Sequence, residues 1–203
     1  MVWYGPDGAG KMVFSRPDVQ LIYIYESDNL KDWTFCSVFG GLGSTGAFWE
    51  CPDLFEVPVL GEGIKKWVML IGRGPNRVQY FVGDFDGNTF TPDKSIADYL
   101  QKDIQTPDGM PEHALWLDYG DDYYATRTWR NYDPERNMAD TVYAIGWMGN
   151  WDYARHAPTS WGKGFQSLPR PMSLKATPEG YRIIQQPVPQ LRQLRGAHYS
   201  QQK

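Results

Sequence analysis

A chain of 203 residues is long enough for one domain with a real core, and 41% hydrophobic against 22% charged residues excludes a disordered polymer. The formal net charge of −4, with basic residues scattered and no Lys/Arg block beyond Arg192 and Arg195, excludes phosphate-backbone binding as the main activity. No apolar run approaches the roughly 20 residues of a spanning helix, so neither nucleic acid nor membrane is an expected partner.

In chain order, helical periodicity is nearly absent and short β-branched or aromatic runs alternate with Gly, Pro, Asp and Asn. Residues 1–4 are strand-like and open without a leader, as if the chain starts inside a domain. Strands are expected at 19–25 and 33–39, with the turn Ser27-Asp28-Asn29 between them. A third at 66–71 leads through Gly72-Arg73-Gly74-Pro75-Asn76 into a fourth at 78–83. Residues 94–101 could form a short helix inside the polar segment 91–111. Later strands are expected at 123–128, 141–147 and 181–185. The strand, acidic turn and aromatic of 23–35 repeat in 80–90, each preceded by a Trp-containing strand at Trp3 or Trp67. Recurrent units of this kind favour propeller blades over a sandwich.

The segment Phe48-Trp49-Glu50-Cys51-Pro52-Asp53-Leu54-Phe55 sets Glu50 among large apolar side chains. An apolar setting penalises the charged carboxylate and favours its acid form. A protonated carboxyl beside aromatic rings suits the protonation of a departing sugar oxygen, and the chain carries 9 Trp, 13 Tyr and 9 Phe. The plainer alternative is a solvated charge at a strand end. Asp118-Tyr119-Gly120-Asp121-Asp122-Tyr123-Tyr124 crowds carboxylates against tyrosines. Asp118 and Asp121 read equally as a solvated turn, whereas Asp122 and Tyr124 lead into a strand and could accept or stack on a sugar. Trp147 and Trp151, among small residues, form either a stacking platform or core. Ser167-Leu168-Pro169-Arg170-Pro171 reads as a loop or edge element, with Arg170 in a structural ion pair.

Cys36 and Cys51 lack zinc-site spacing, and a disulfide between them stays open. His113, His156 and His198 lie far apart in polar segments, which suits incidental roles better than metal ligation.

Together these segments resemble the catalytic propeller of glycoside hydrolase family 32, the invertases, levanases and exo-inulinases, over nearly the whole length. Residues 49–55 resemble the family's Glu-Cys motif, whose Glu is the general acid/base, and so mark Glu50 as the catalytic candidate. Residues 118–125 resemble its Asp-Tyr-Gly-x-Asp-Phe-Tyr-Ala segment, with Tyr123 in place of Phe. Residues 79–87, and 146–153 with Pro158-Thr159, resemble the levanase and exo-inulinase branch. The resemblance implies an all-β fold, the last three to four blades of a five-bladed β-propeller, with residues 1–203 as one partial domain. It implies a fructan oligosaccharide or polysaccharide, or sucrose, as substrate, without a cofactor or metal. Trp49, Cys51, Asp122, Tyr124, Trp147 and Trp151 are the implied substrate-binding residues.

The departures are as informative. The family's nucleophile lies in an Asn-Asp-Pro motif and its transition-state stabiliser in an Arg-Asp-Pro motif, and neither occurs in this sequence. The expectation is therefore a fragment, inactive alone, that needs N-terminal blades to complete its fold and has no C-terminal β-sandwich. For the full-length parent a secreted or periplasmic location is expected. A non-catalytic carbohydrate-binding fragment and an arabinanase-like propeller glycosidase are the alternatives.

Overall fold

The computed structural model describes residues 1–5, 8–93, 114–130 and 141–200. Three antiparallel sheets follow one another along the chain. The first has the order β1-β2-β3-β4, built from Val2–Tyr4, Gly10–Arg16, Leu21–Ser27 and Thr34–Gly40. The second runs β5-β6-β7-β8, from Trp49–Pro58, Lys65–Arg73, Arg77–Phe85 and Phe90–Pro92. The third is β9-β10-β12-β13, from Tyr124–Arg130, Val142–Met148, Arg170–Thr177 and Gly180–Gln185. A two-residue strand, β11 (Phe165–Gln166), adds to the far end of β10. Sequential four-stranded meanders packed face to face are propeller blades. Among the described residues the helical content is limited to short 3-10 turns.

Burial explains the order of the layers. In β3, Ile22 and Ile24 are buried while Leu21, Tyr23 and Tyr25 are half-buried, the period-two pattern of a sheet with one core face. In β6 and β7 the runs 68–73 and 78–83 are buried without alternation, because neighbours cover both faces of the middle blade. Phe39 on the first sheet meets Phe81 and Phe90 of the second edge-on, with centroids 4.9 and 5.4 Å apart. The second and third sheets are joined by the Leu60 N–H donating to the Leu174 carbonyl at 2.8 Å.

Every expected strand forms, with bounds shifted by one or two residues. The short helix expected at 94–101 lies outside the described residues, as does His113. The strand β2 was hidden by its Gly, Lys and Arg, although Lys11 is buried and donates to Glu26 at 3.0 Å. Arg170-Pro171, expected in a loop or edge element, opens β12, which pairs with both β10 and β13. Proline is tolerated there because it sits in the first residues of the strand.

Candidate active site

The innermost strands of the second and third blades, β5 and β9, share one device. Glu50 lies opposite Gly72 and Asp53 opposite Leu70, so Cys51 and Pro52 face Ile71 together as a β-bulge. Cys51 takes a left-handed φ of 51°. In β9, Tyr124 lies opposite Trp147 and Arg127 opposite Ile145, so Ala125 and Thr126 bulge against Gly146. Ala125 has a φ of 50°. A left-handed L-residue costs about 1–2 kcal/mol, so each bulge is held by its surroundings. Glycine faces both. A Cβ on Gly72 would lie 3.0 Å from the Glu50 carbonyl, and one on Gly146 would lie 2.9 Å from the Tyr123 ring.

The two bulges turn their residues into one cavity of about 510 Å³, lined by Ser15, Glu50, Cys51, Tyr124, Ala125, Trp147 and Trp151. Glu50 is half-buried, and its Oε2 accepts a hydrogen bond from the Tyr124 hydroxyl at 2.8 Å. Burial, and then the bond to Glu50, push the Tyr124 phenol far above its ordinary range. The hydroxyl is therefore a fixed donor that orients the carboxyl. Trp147 and Trp151 stand with centroids 4.7 Å apart at 51°. Trp147 is fixed by its indole N–H, which donates to the Lys163 carbonyl at 2.8 Å. Its ring rests against Gly149 and Gly164, where any Cβ would meet it at 2.2 and 2.5 Å. Trp151 is 43% exposed, with the Arg155 guanidinium 5.5 Å from its ring centroid. An acid with a positioned donor, facing two indoles, can hold a sugar ring and protonate its leaving oxygen.

Glu50, Cys51, Tyr124, Trp147 and Trp151 thus come together, and two expected members do not. Trp49 has no exposed surface, and its indole N–H donates to the Ser44 carbonyl at 2.8 Å. Adjacent strand residues point to opposite faces, so with Glu50 in the cavity Trp49 belongs to the blade interior. Asp122 lies outside the cavity lining, and its Oδ1 accepts from the Tyr153 hydroxyl. That bond pushes the Tyr153 phenol up to about 12. Tyr124 touches the acid through its hydroxyl while its ring is buried, so it is a support more than a stacking face. Cys36 and Cys51 are both free thiols, and burial pushes the Cys51 thiol up. Arg170 forms the expected ion pair, with Asp118 at 2.7 Å, and lies 4.5 Å from the Tyr123 ring centroid.

Sequence reasoning missed the polar frame behind Glu50. The loop before β5 is pinned by Ser44, whose N–H donates to Gln79 Oε1 at 2.9 Å and whose Oγ accepts from Arg73 Nε at 3.0 Å. Polar residues bordering the buried runs of β6 and β7 were the available signal. Asp53 was also missed. It is wholly buried, and its Oδ2 accepts from both the amide and the hydroxyl of Thr128 at 2.9 Å. This carboxylate ties β5 to β9.

The family model for "Glycosyl hydrolases family 32 N-terminal domain" matches residues 1–187. The chain belongs to glycosyl hydrolase family 32. This family 32 chain is 41% identical over 202 residues to a levanase of Bacillus subtilis, covering 96% of itself and 27% of that protein. It is 36% identical over 193 residues to the extracellular exo-inulinase inuE of Aspergillus niger, covering 91% of itself and 33% of that protein. The crystal structure of exo-inulinase from Aspergillus awamori superposes with a TM-score of 0.78 at 34% identity, covering 92% of this chain and 35% of that one. The β-fructofuranosidase of Schwanniomyces occidentalis, solved with fructosyl-erythritol, gives 0.73 at 32% identity, covering 92% and 34%. The family 32 chain therefore spans about a third of the length of the relatives it matches.

Proposed function

We propose that this chain is the acid/base-bearing part of a retaining β-fructosidase that removes terminal β-D-fructosyl units from levan, inulin or sucrose. The observation that carries the reading is Glu50, held by the Tyr124 hydroxyl at 2.8 Å, in a cavity walled by Trp147 and Trp151. Relatives bearing the names levanase, exo-inulinase and invertase support the substrate class. In the first step a carboxylate attacks the fructosyl carbon while Glu50 gives its proton to the departing oxygen. In the second, Glu50 takes a proton from the water that releases the sugar. Retaining chemistry places the two carboxyl groups about 5 Å apart. Among the described residues, Glu50 is the one carboxylate lining this cavity. On this reading the described residues hold fructosyl units without cleaving them, and the nucleophile is supplied from outside them. The extracellular naming of the exo-inulinase relatives supports action outside the cell for that polypeptide.

The test is Glu50→Gln in a polypeptide that includes this segment and the remaining blades, with fructose release measured on levan, inulin and sucrose. The variant should lose about 100- to 10,000-fold in turnover, the usual contribution of a general acid/base. Release of arabinose rather than fructose by the unaltered enzyme, or full activity of the variant, would overturn the assignment.

A further inference from the structure

The turn at residues 74–76, between β6 and β7, leaves the strand pair that carries Glu50, since Trp49 lies opposite Arg73 and Glu50 opposite Gly72. Its polar groups reach outward on both sides. Toward β5, the Gly74 N–H donates to the Phe48 carbonyl at 3.1 Å. The Phe48 ring lies 2.1 Å from where a Gly74 Cβ would stand, so a side chain there would have to displace that ring. Toward the third blade, the Pro75 carbonyl accepts the Trp151 amide at 3.3 Å. Asn76 is 9% exposed, and its Nδ2 donates to the Asp121 carbonyl at 2.8 Å. The same carbonyl receives Asn150 Nδ2 at 3.4 Å. Asn150 then organises the following turn, its Oδ1 accepting from the Asp152 amide at 2.9 Å and its carbonyl from the Ala154 amide at 2.8 Å. The loop that presents Trp151 therefore hangs on the second blade's turn by one direct hydrogen bond, from the Trp151 amide to the Pro75 carbonyl, and by a second link through the Asp121 carbonyl that Asn76 and Asn150 share. Asn76 lies four residues on from Gly72, Glu50's partner across the strand pair.

We infer that Asn76 is a positioning residue that sets the Trp151 wall at a fixed separation from Glu50, acting through the Asp121 carbonyl and the Asn150 turn. The inference rests on the fructosidase reading and deepens it, because a sugar stacked on the tryptophans reaches the acid only when wall and acid keep register. Misplacement by about 1 Å at such a site can cost 100-fold in rate. Buried side-chain amides carry this kind of geometry, since an unmade bond there is penalised by the full desolvation of the donor.

The experiment uses the 203-residue chain and the variant Asn76→Asp, which keeps the shape but turns the donor into an acceptor facing a carbonyl. The indole N–H resonance of Trp151, assigned with Trp151→Phe, should shift in the sugar-free variant while those of Trp49 and Trp67 stay in place. Affinity for short-chain inulin should fall about tenfold, the loss expected for one hydrogen bond. An unmoved Trp151 resonance in a folded variant would overturn the inference. An indole shift in the variant together with no inulin binding by the wild-type chain would instead sink the fructosidase reading and leave the positioning role standing. Hydrogen exchange on the unmutated chain gives a second check that needs no variant. The Trp151 amide, bonded to the Pro75 carbonyl, should be protected, and exchange at the rate of a free amide would refute the tie between the Trp151 loop and the second blade's turn on which the inference rests.

Discussion

Replacing Tyr124 by Phe isolates the hydrogen bond that the Tyr124 hydroxyl gives to Glu50. The Tyr124 ring is 1% exposed, so Phe keeps the packing and removes only the hydroxyl that meets Glu50 Oε2 at 2.8 Å. A hydrogen bond to a charged group contributes about 1.5–3 kcal/mol, and a half-buried carboxylate regains part of that from water. The folding cost should therefore stay near 1 kcal/mol, a fall in melting temperature of about 2–4 °C for a chain of this size. The catalytic cost should be larger, because Glu50 is then free to turn away from the leaving oxygen. In a polypeptide with the remaining blades, kcat should fall about 10- to 100-fold, at about 1.4 kcal/mol per decade. The assay pairs a thermal melt with fructose release from inulin. Unchanged kcat would show that the hydroxyl does not orient the acid. A collapse of the melt with kcat intact in the surviving fraction would make Tyr124 a packing residue only.

The other expectations test the frame around that bond. Gly72→Ala puts a Cβ 3.0 Å from the Glu50 carbonyl and 3.4 Å from the Tyr124 ring; it should cost about 1–3 kcal/mol, as overpacking does, and a variant melting with the wild type would contradict the tight fit. Burial, partly opposed by the Thr128 bonds, holds the Asp53 carboxyl above the usual carboxylate range. The folded state thus holds that proton more tightly than the unfolded chain, so Asp53 adds stability below about pH 4 and loses it as pH rises through the folded value. Asp53→Asn keeps an acceptor for Thr128 without a charge, so its melting temperature should depend less on pH across that range; parallel slopes would refute the argument. On the open face of the first sheet, Phe14, Phe35 and Val38 are 52%, 53% and 49% exposed, an apolar surface that should drive concentration-dependent association of the isolated chain, whereas a clean monomer with a sharp cooperative melt would count against it.

What the sequence disclosed followed from short-range physics. Strands at 66–71 and 78–83 were legible because continuous apolar runs between turn residues leave few other readings. Glu50 stood out because a carboxylate among aromatic side chains is costly to take from water, and it does line the cavity. Trp49 was misplaced for a reason the sequence itself contains, since neighbouring strand residues face opposite ways and the acid and its neighbour cannot share one wall. Asp122 and Asn76 were not legible, because their partners Tyr153 and Asp121 are 31 and 45 residues away and only the blade packing brings them together. Asp53 was hidden by the bulge, which breaks the period-two rule between Glu50 and the residue that ties β5 to Thr128.

That bulge also explains why the chemistry collects where it does. A regular inner strand would send Glu50 and Cys51 to opposite faces, leaving one side chain per two residues for the cavity. Inserting Cys51 in a left-handed turn opposite Ile71, beside Gly72, and Ala125 likewise opposite Gly146, bends both inner strands. The acid from one blade and its hydroxyl donor from the next then converge, although 74 residues separate them. Each bend is energetically unfavourable alone and is kept by what surrounds it, glycine across the pair and the Tyr124 ring against Gly72. The acid is therefore a property of two blades packed together, and a change that relaxes either bulge should disperse the site before it unfolds the sheets.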